Sequence, residues 1–170
     1  MSEKTLIVDH LKLSYDGLFS SAELYNVVSS FFFEKGWDWV ETLNQEMVTP
    51  QGKQIRMILE PYKSSSDFYK LTVRIHLNMN NVKDVEVEHD GKNVRLNQGA
   101  IYFTIDGFVV SDRKNMWKDK PWMWFFMIIS QKYFFKNHFD KLATWLKSDV
   151  EDLHGRVKRY LHSIRYTYQS

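Results

Sequence analysis

The side chains that can do acid–base, metal or nucleophilic chemistry are few in this sequence, and they are scattered. There are six histidines, His10, His76, His89, His138, His154 and His162, and no cysteine. Without cysteine there are no disulfides, thiolate metal sites or cysteine nucleophiles. A histidine or carboxylate metal site needs several such groups converging, and the sequence groups none of them convincingly. The one suggestive spacing is Glu151 with His154, an i, i+3 pair near the C-terminus. Carboxylate-bridged di-metal bundles use that spacing twice, with further glutamates from other helices. Here it occurs once, so a solvated helix face is the plainer reading. Glu86 and Glu88 stand two apart, as residues on one wet strand face do.

Other chemistries fare no better. Ser64-Ser65-Ser66 lacks the flanking glycines of a nucleophile elbow. The glycines at 17, 36, 52, 91, 99, 107 and 155 are isolated and form no phosphate-cradling loop. Nucleic-acid binding on a sheet needs exposed aromatics interleaved with basic residues. Tyr102 and Phe103 have no lysine or arginine near them between Gly99 and Val110. The better basic patch is Arg156, Lys158, Arg159 and Arg165 with Tyr160, Tyr166 and Tyr168. It is equally a helix C-terminus whose cations favour the dipole. A nucleic-acid partner, a metal, a cofactor and a catalytic site are therefore not expected.

What remains to explain is hydrophobic. The 170 residues are 44% hydrophobic and 16% aromatic, enough for a sizeable core in one domain spanning 1–170. Charge is uneven. Residues 1–50 hold three Lys/Arg and eight Asp/Glu, net −5, while residues 111–170 hold twelve and six, net +6. Acidic and basic faces of that kind attract each other, within one molecule or between copies. Met1-Ser2-Glu3-Lys4 lacks the plan of a signal peptide, and no Asn-x-Ser/Thr acceptor occurs. The longest apolar run, Trp122 to Ile129, falls far short of the roughly 20 residues that span a bilayer. A cytoplasmic protein without a transmembrane segment is expected.

The elements that must position any site follow from the hydrophobic period. Thr5 to Ser14 reads as a strand and Tyr15-Asp16-Gly17 as a turn. Ser20 with Glu23 forms a capping box, opening a helix with Leu24, Val28 and Phe31 on one face and Gly36 at its end. Trp39, Leu43 and Met47 give a loose strand up to Thr49-Pro50-Gln51-Gly52. Ile55, Met57 and Leu59 form the next inward row. Tyr69, Leu71, Val73, Ile75, Leu77 and Met79 alternate strictly with polar residues, the cleanest strand in the chain. Val85 and Val87 lead to an Asp90-Gly91 hairpin turn. Gly99 to Val110 is a last long strand, with Gly107 a candidate bulge. The period then becomes helical. Pro121 suits a first helical position, with Trp122, Phe125, Phe126, Ile129 and Tyr133 on one face. Leu142, Leu146, Val150, Leu153, Val157, Leu161 and Ile164 repeat at close to 3.6, the pattern of a straight helix lying on something flat.

These signals predict an α+β fold. A curved antiparallel sheet of about six strands carries an early helix and a long C-terminal helix. The order resembles the helix-grip fold of the START and Bet v 1-like superfamily, in which such a sheet grips the last helix, often around an apolar cavity. That superfamily usually has two short helices after the first strand and a further strand before the last helix. Here one early helix is readable, and Trp122 to Phe135 reads as helix. The strings Tyr15-Asp16-Gly17-Leu18, Glu34-Lys35-Gly36-Trp37-Asp38-Trp39, Asp84-Val85-Glu86-Val87, Leu96-Asn97-Gln98-Gly99 and Ser111-Asp112 are similar to an uncharacterised family of small archaeal and archaeal-virus-associated hypothetical proteins. That resemblance covers nearly the whole chain and implies no activity, because the family has no assigned function.

Pro121 to Phe135 is the strongest anomaly. It carries seven aromatic residues and is apolar nearly all round. Such a helix must be covered on more than one side, by its own sheet, by a second copy or by a lipid surface. The leading expectation is a non-enzymatic interaction or structural protein that forms a homo-oligomer, with Trp122, Trp124, Phe125 and Phe126 at the interface. The alternative is a binding module that holds an apolar small molecule or lipid between sheet and last helix. Its pocket would be lined by Trp39, Leu71, Val73, Ile75, Leu146, Val150 and Leu153.

Overall fold

In the computed structural model, which describes residues 3–111, 121–130 and 136–169, the expected α+β fold is present. In chain order the elements are β1 (Glu3–Phe19), α1 (Ser21–Glu34), β2 (Glu41–Thr49), β3 (Gly52–Leu59), β4 (Tyr62–Ser64), β5 (Tyr69–His89), β6 (Lys92–Ser111), α2 (Pro121–Ser130) and α3 (Lys136–Gln169). The strands form one open antiparallel sheet in the order β1-β6-β5-β3-β2, with β4 added beside β5.

The hairpin of β5 and β6 is its backbone. It closes on Asp90 (φ 50°) and Gly91 (φ 75°), a two-residue loop whose left-handed conformations match the twist of the flanking strands. Strict alternation in β5 sends Leu71, Val73, Ile75, Leu77 and Met79 to one face, where all are buried. Ile101, Phe103, Ile105 and Val109 of β6 lie beside them. The α3 stripe of Leu142, Leu146, Val150, Leu153, Val157 and Leu161 is buried in the same cluster. Each such side chain contributes about 1.5–3 kcal/mol on burial, so this two-layer contact dominates stability. Gly107 lets the layers approach closely: a Cβ there would stand 3.3 Å from the Leu146 side chain.

The early helix completes the core with Leu24, Val28, Phe31 and Phe32. Ser20 is its N-cap and accepts from the Glu23 amide at 3.3 Å. The reciprocal half of the capping box is supplied from elsewhere. The Ser20 amide donates to the Tyr160 hydroxyl of α3 at 3.2 Å, and that hydroxyl lies 3.1 Å from the Glu23 carboxylate. Gly36 (φ 73°) ends the helix as expected. Charge ties α1 to α3 within the molecule. Glu34 pairs with Arg156 at 2.9 Å, and Lys35 pairs with Asp149 at 3.2 Å and Asp152 at 3.4 Å.

Three local expectations are corrected. Tyr15-Asp16-Gly17 is no turn, because β1 runs on to Phe19 and pairs Tyr15 with Ile101 and Gly17 with Gly99. Burial of Tyr15, Leu18 and Phe19 overrides the turn preference of Asp and Gly. The bulge expected at Gly107 lies in the strand opposite, in β1. Trp39 precedes β2 instead of belonging to it. It packs partly buried against the core beside Tyr25, whose hydroxyl accepts from its indole N–H at 3.2 Å.

Candidate functional site

The uncovered apolar surface of α2 follows from its composition. Its ten residues contain no charged side chain, so it has no face suited to water. Trp122 is 64% exposed, Phe125 61% and Phe126 63%, with Ile129 also exposed. Their spacing of i, i+3, i+4 and i+7 puts them on one stripe. Trp122 and Phe126 meet edge to face with centroids 6.4 Å apart. Trp124, Tyr133, Phe134 and Phe135 lie outside the described side chains. No helix among the described residues is long and apolar enough to cross a membrane.

The residues expected to line a pocket are brought together, but as packed core. Leu71, Val73, Ile75, Leu146, Val150 and Leu153 are buried in one cluster, with Trp39 packed against its margin. Of these, only Leu71 reaches an open groove, of about 320 Å³, at one end of the sheet–helix contact. Leu142 and Trp145 line it on the α3 side. Its cations are already engaged. Lys35 holds Asp149 and Asp152, and Lys63 donates to the Lys35 carbonyl at 2.8 Å, closing the α1 C-terminus.

Acidic and apolar groups also meet on β2, an edge strand. Met47 is 61% and Val48 75% exposed, flanked by Glu46. Exposed edges bearing apolar side chains are sites of strand or surface association. Glu86 is solvated as expected and stands opposite Arg95 in register. His154 is partly buried, and its ring lies 3.2 Å from the Lys12 carbonyl of β1. Tyr102 is exposed and Phe103 buried, and the Tyr102 face also carries the partly buried Phe108, with the Arg74 guanidinium 5.7 Å from its ring centroid.

One constellation escaped the sequence reading. In β1, Val8 pairs with Gly107 and Leu11 with Ile105, so Asp9 and His10 together stand opposite Asp106. This is a bulge, two residues facing one. The His10 amide donates to Asp106 Oδ1 at 2.7 Å, and His10 Nδ1 lies 3.2 Å from that same oxygen. Nδ1 also contacts Asp9 Oδ1. His10 titrates above the ordinary histidine range, chiefly through the hydrogen bond to Asp9 and then the charge of Asp106. Among the described residues these three side chains alone bring three metal-ligand atoms within 4.8 Å of one another. The only sequence trace was the break in alternation at Asp9-His10. Asp106 lies 96 residues away, and no local pattern announces it.

Tyr160 is a second residue the helix pattern could not assign. Its phenol is held well above the ordinary tyrosine range. Burial is the main cause, partly offset by its hydrogen bond to Ser20 and reinforced by Glu23.

Comparison with known proteins brought no likeness at all: no family model, no curated protein and no solved structure matches the chain.

Proposed function

We propose that the protein is a non-enzymatic assembly component that associates with further copies of itself through the aromatic face of α2. The observation that carries this reading is the exposure of Trp122, Phe125, Phe126 and Ile129 on one stripe. Burying large apolar side chains is worth about 1.5–3 kcal/mol each, and contiguous patches of this kind mark interaction sites. A helix that lies on a lipid surface carries cations on its polar face. Between Pro121 and Ser130 there is no charge of either sign, which favours protein as the covering surface. The sequence flanking α2 supplies complementarity to a second copy. Residues 112–136 hold six Lys/Arg and two Asp/Glu, whereas residues 1–50 are net −5. The β2 edge, with Met47 and Val48, offers an apolar counterpart, beside Glu46, which Lys53 of the same chain already pairs at 3.3 Å. A contact between α2 and the β2 edge of the next copy is heterologous, so it closes into a ring or extends as a filament.

Light scattering and sedimentation across a wide dilution series test the reading. The wild-type chain is expected to associate, and Trp122→Glu to weaken association while leaving the thermal transition unchanged. A wild-type chain that stays monomeric refutes it. Binding of that monomer to anionic vesicles would transfer the α2 face to a lipid surface.

The groove beside Leu71 favours a second reading, a module for an apolar small molecule. Its volume of about 320 Å³ falls at the low end of ligand sites. Native mass spectrometry of the purified chain distinguishes the two. A co-purified mass lost in Trp145→Ala supports the groove.

A further inference from the structure

We infer that Asp9, His10 and Asp106 form a site for one divalent transition-metal cation of zinc-like chemistry. The argument begins with the backbone. In a regular strand, adjacent side chains point to opposite faces, so Asp9 and His10 could not serve one ion. The bulge removes that restriction, with His10 in a left-handed conformation (φ 49°) that non-glycine residues seldom adopt. Both residues then converge on Asp106 across the ladder.

The donor set is a mixed one. It offers two carboxylates and one imidazole, whose combined charge of −2 balances a divalent ion. The spacing of 3.2 Å between His10 Nδ1 and Asp106 Oδ1 is close to the separation of about 3.4 Å for two ligands on a tetrahedral ion with bonds near 2.1 Å, whereas Asp9 Oδ1 is in direct hydrogen-bond contact with Nδ1 and must swing away from it to join them on one ion. An imidazole donor favours zinc and its neighbours over magnesium and calcium. The His10 amide fixes Asp106 Oδ1 at 2.7 Å, as an outer-shell hydrogen bond orients a ligating carboxylate.

Asp106 gives an independent reason. Its side chain is only 9% exposed, and buried carboxylates are normally paired with a cation or a metal. Arg74 faces it across the ladder, but the Arg74 Nε bonds to Glu60 at 2.9 Å. Among the described residues the only basic group within ion-pair distance of Asp106 is His10. Asp9 and His10 are mostly exposed, so an ion can enter and keep water ligands. Ile105 and Gly107 on either side of Asp106 face the core, which puts the site on the sheet face away from α3.

Calorimetric titration of the full chain with zinc chloride tests the inference. One ion per chain is expected, with magnesium and calcium binding far more weakly. Asp9→Asn and His10→Gln each remove one ligand, and a thermal melt of each metal-free variant measures what the loss of that side chain beside buried Asp106 costs the fold. Each is expected to weaken zinc binding by at least about tenfold, with an unchanged circular dichroism spectrum. Cobalt in place of zinc should show a visible absorption band that His10→Gln removes. The inference is overturned if zinc does not bind. It is also overturned if both variants bind zinc as the wild type does, or if magnesium binds as tightly as zinc.

Discussion

Gly155→Ala and Gly99→Ala are the same chemical change with opposite expected signs. Gly155 lies within α3, and a Cβ built there meets nothing within 4 Å. Alanine exceeds glycine in a helix interior by about 0.8–1 kcal/mol, so the substitution should stabilise by about that amount. For a chain of this length about 1 kcal/mol raises Tm by roughly 2–4 °C. Gly99 lies in β6, where Asn81 and Val82 of β5 bulge opposite it. A Cβ there would stand 2.8 Å from the Asn80 carbonyl oxygen and 3.2 Å from Val82 Cα. These are backbone atoms of a paired strand, so no side-chain rotation relieves the overlap. Overpacking of this kind costs about 1–3 kcal/mol, a fall in Tm of several degrees. Urea unfolding followed by far-UV circular dichroism measures both, with the slope expected to stay constant. A Gly99→Ala chain as stable as the wild type would refute the register assigned to the second bulge. A destabilised Gly155→Ala chain would show that the open side of α3 is covered by something.

Leu153→Asp buries a carboxylate with no partner in the centre of the sheet–helix contact, where Leu153 is fully buried; a loss above about 4 kcal/mol is expected, and an unchanged melting temperature would show that the stripe faces elsewhere. Tyr160→Phe removes the hydroxyl that completes the Ser20 cap and should cost about 1 kcal/mol near neutral pH, measured by urea unfolding. The same variant has a pH signature. The folded-state pKa of Tyr160 lies above its unfolded value of about 10, so its stabilisation is complete below that pH and is lost as pH rises beyond it. Wild-type stability should fall more steeply than that of Tyr160→Phe in alkali, and parallel curves would remove Tyr160 as the cause. Val48→Lys places a cation on the exposed β2 edge and should reduce self-association without shifting Tm; unchanged sedimentation would exclude that edge as the counterpart of α2.

The parts of the fold legible in the sequence are those set by local period. Tyr69 to Met79 alternates because one face is buried, and the α3 stripe repeats because one side lies on that face. Ser20, Gly36 and Asp90-Gly91 were legible because caps and two-residue turns need particular side chains at fixed positions. Register was not legible. Asp16 and Gly17 favour turns, yet the pairing of β1 with β6 and the burial of Tyr15 extend the strand through them. The Asp9-His10 bulge is a property of two strands, and its third member is fixed only when β6 aligns with β1. The exposure of the α2 stripe was equally out of reach. Apolar residues at helical spacing read alike whether a helix is buried in its own domain or faces a partner.

Stability and association belong to different parts of this chain, and this makes the proposed function testable. The main hydrophobic cluster draws on β1, α1, β3, β5, β6 and α3, and none of the described α2 side chains belongs to it. A polar substitution in that cluster acts first on folding, because it strands charge or opens a cavity between packed layers. A polar substitution at Trp122 or Phe126 meets solvent in the isolated chain, where these side chains are already mostly exposed. Replacing an exposed aromatic by glutamate removes apolar surface from water and should improve the solubility of the monomer. If α2 served only the chain's own stability, its variants would lower Tm in step with the core variants. Loss of assembly at constant Tm is the result that a role in self-association alone produces.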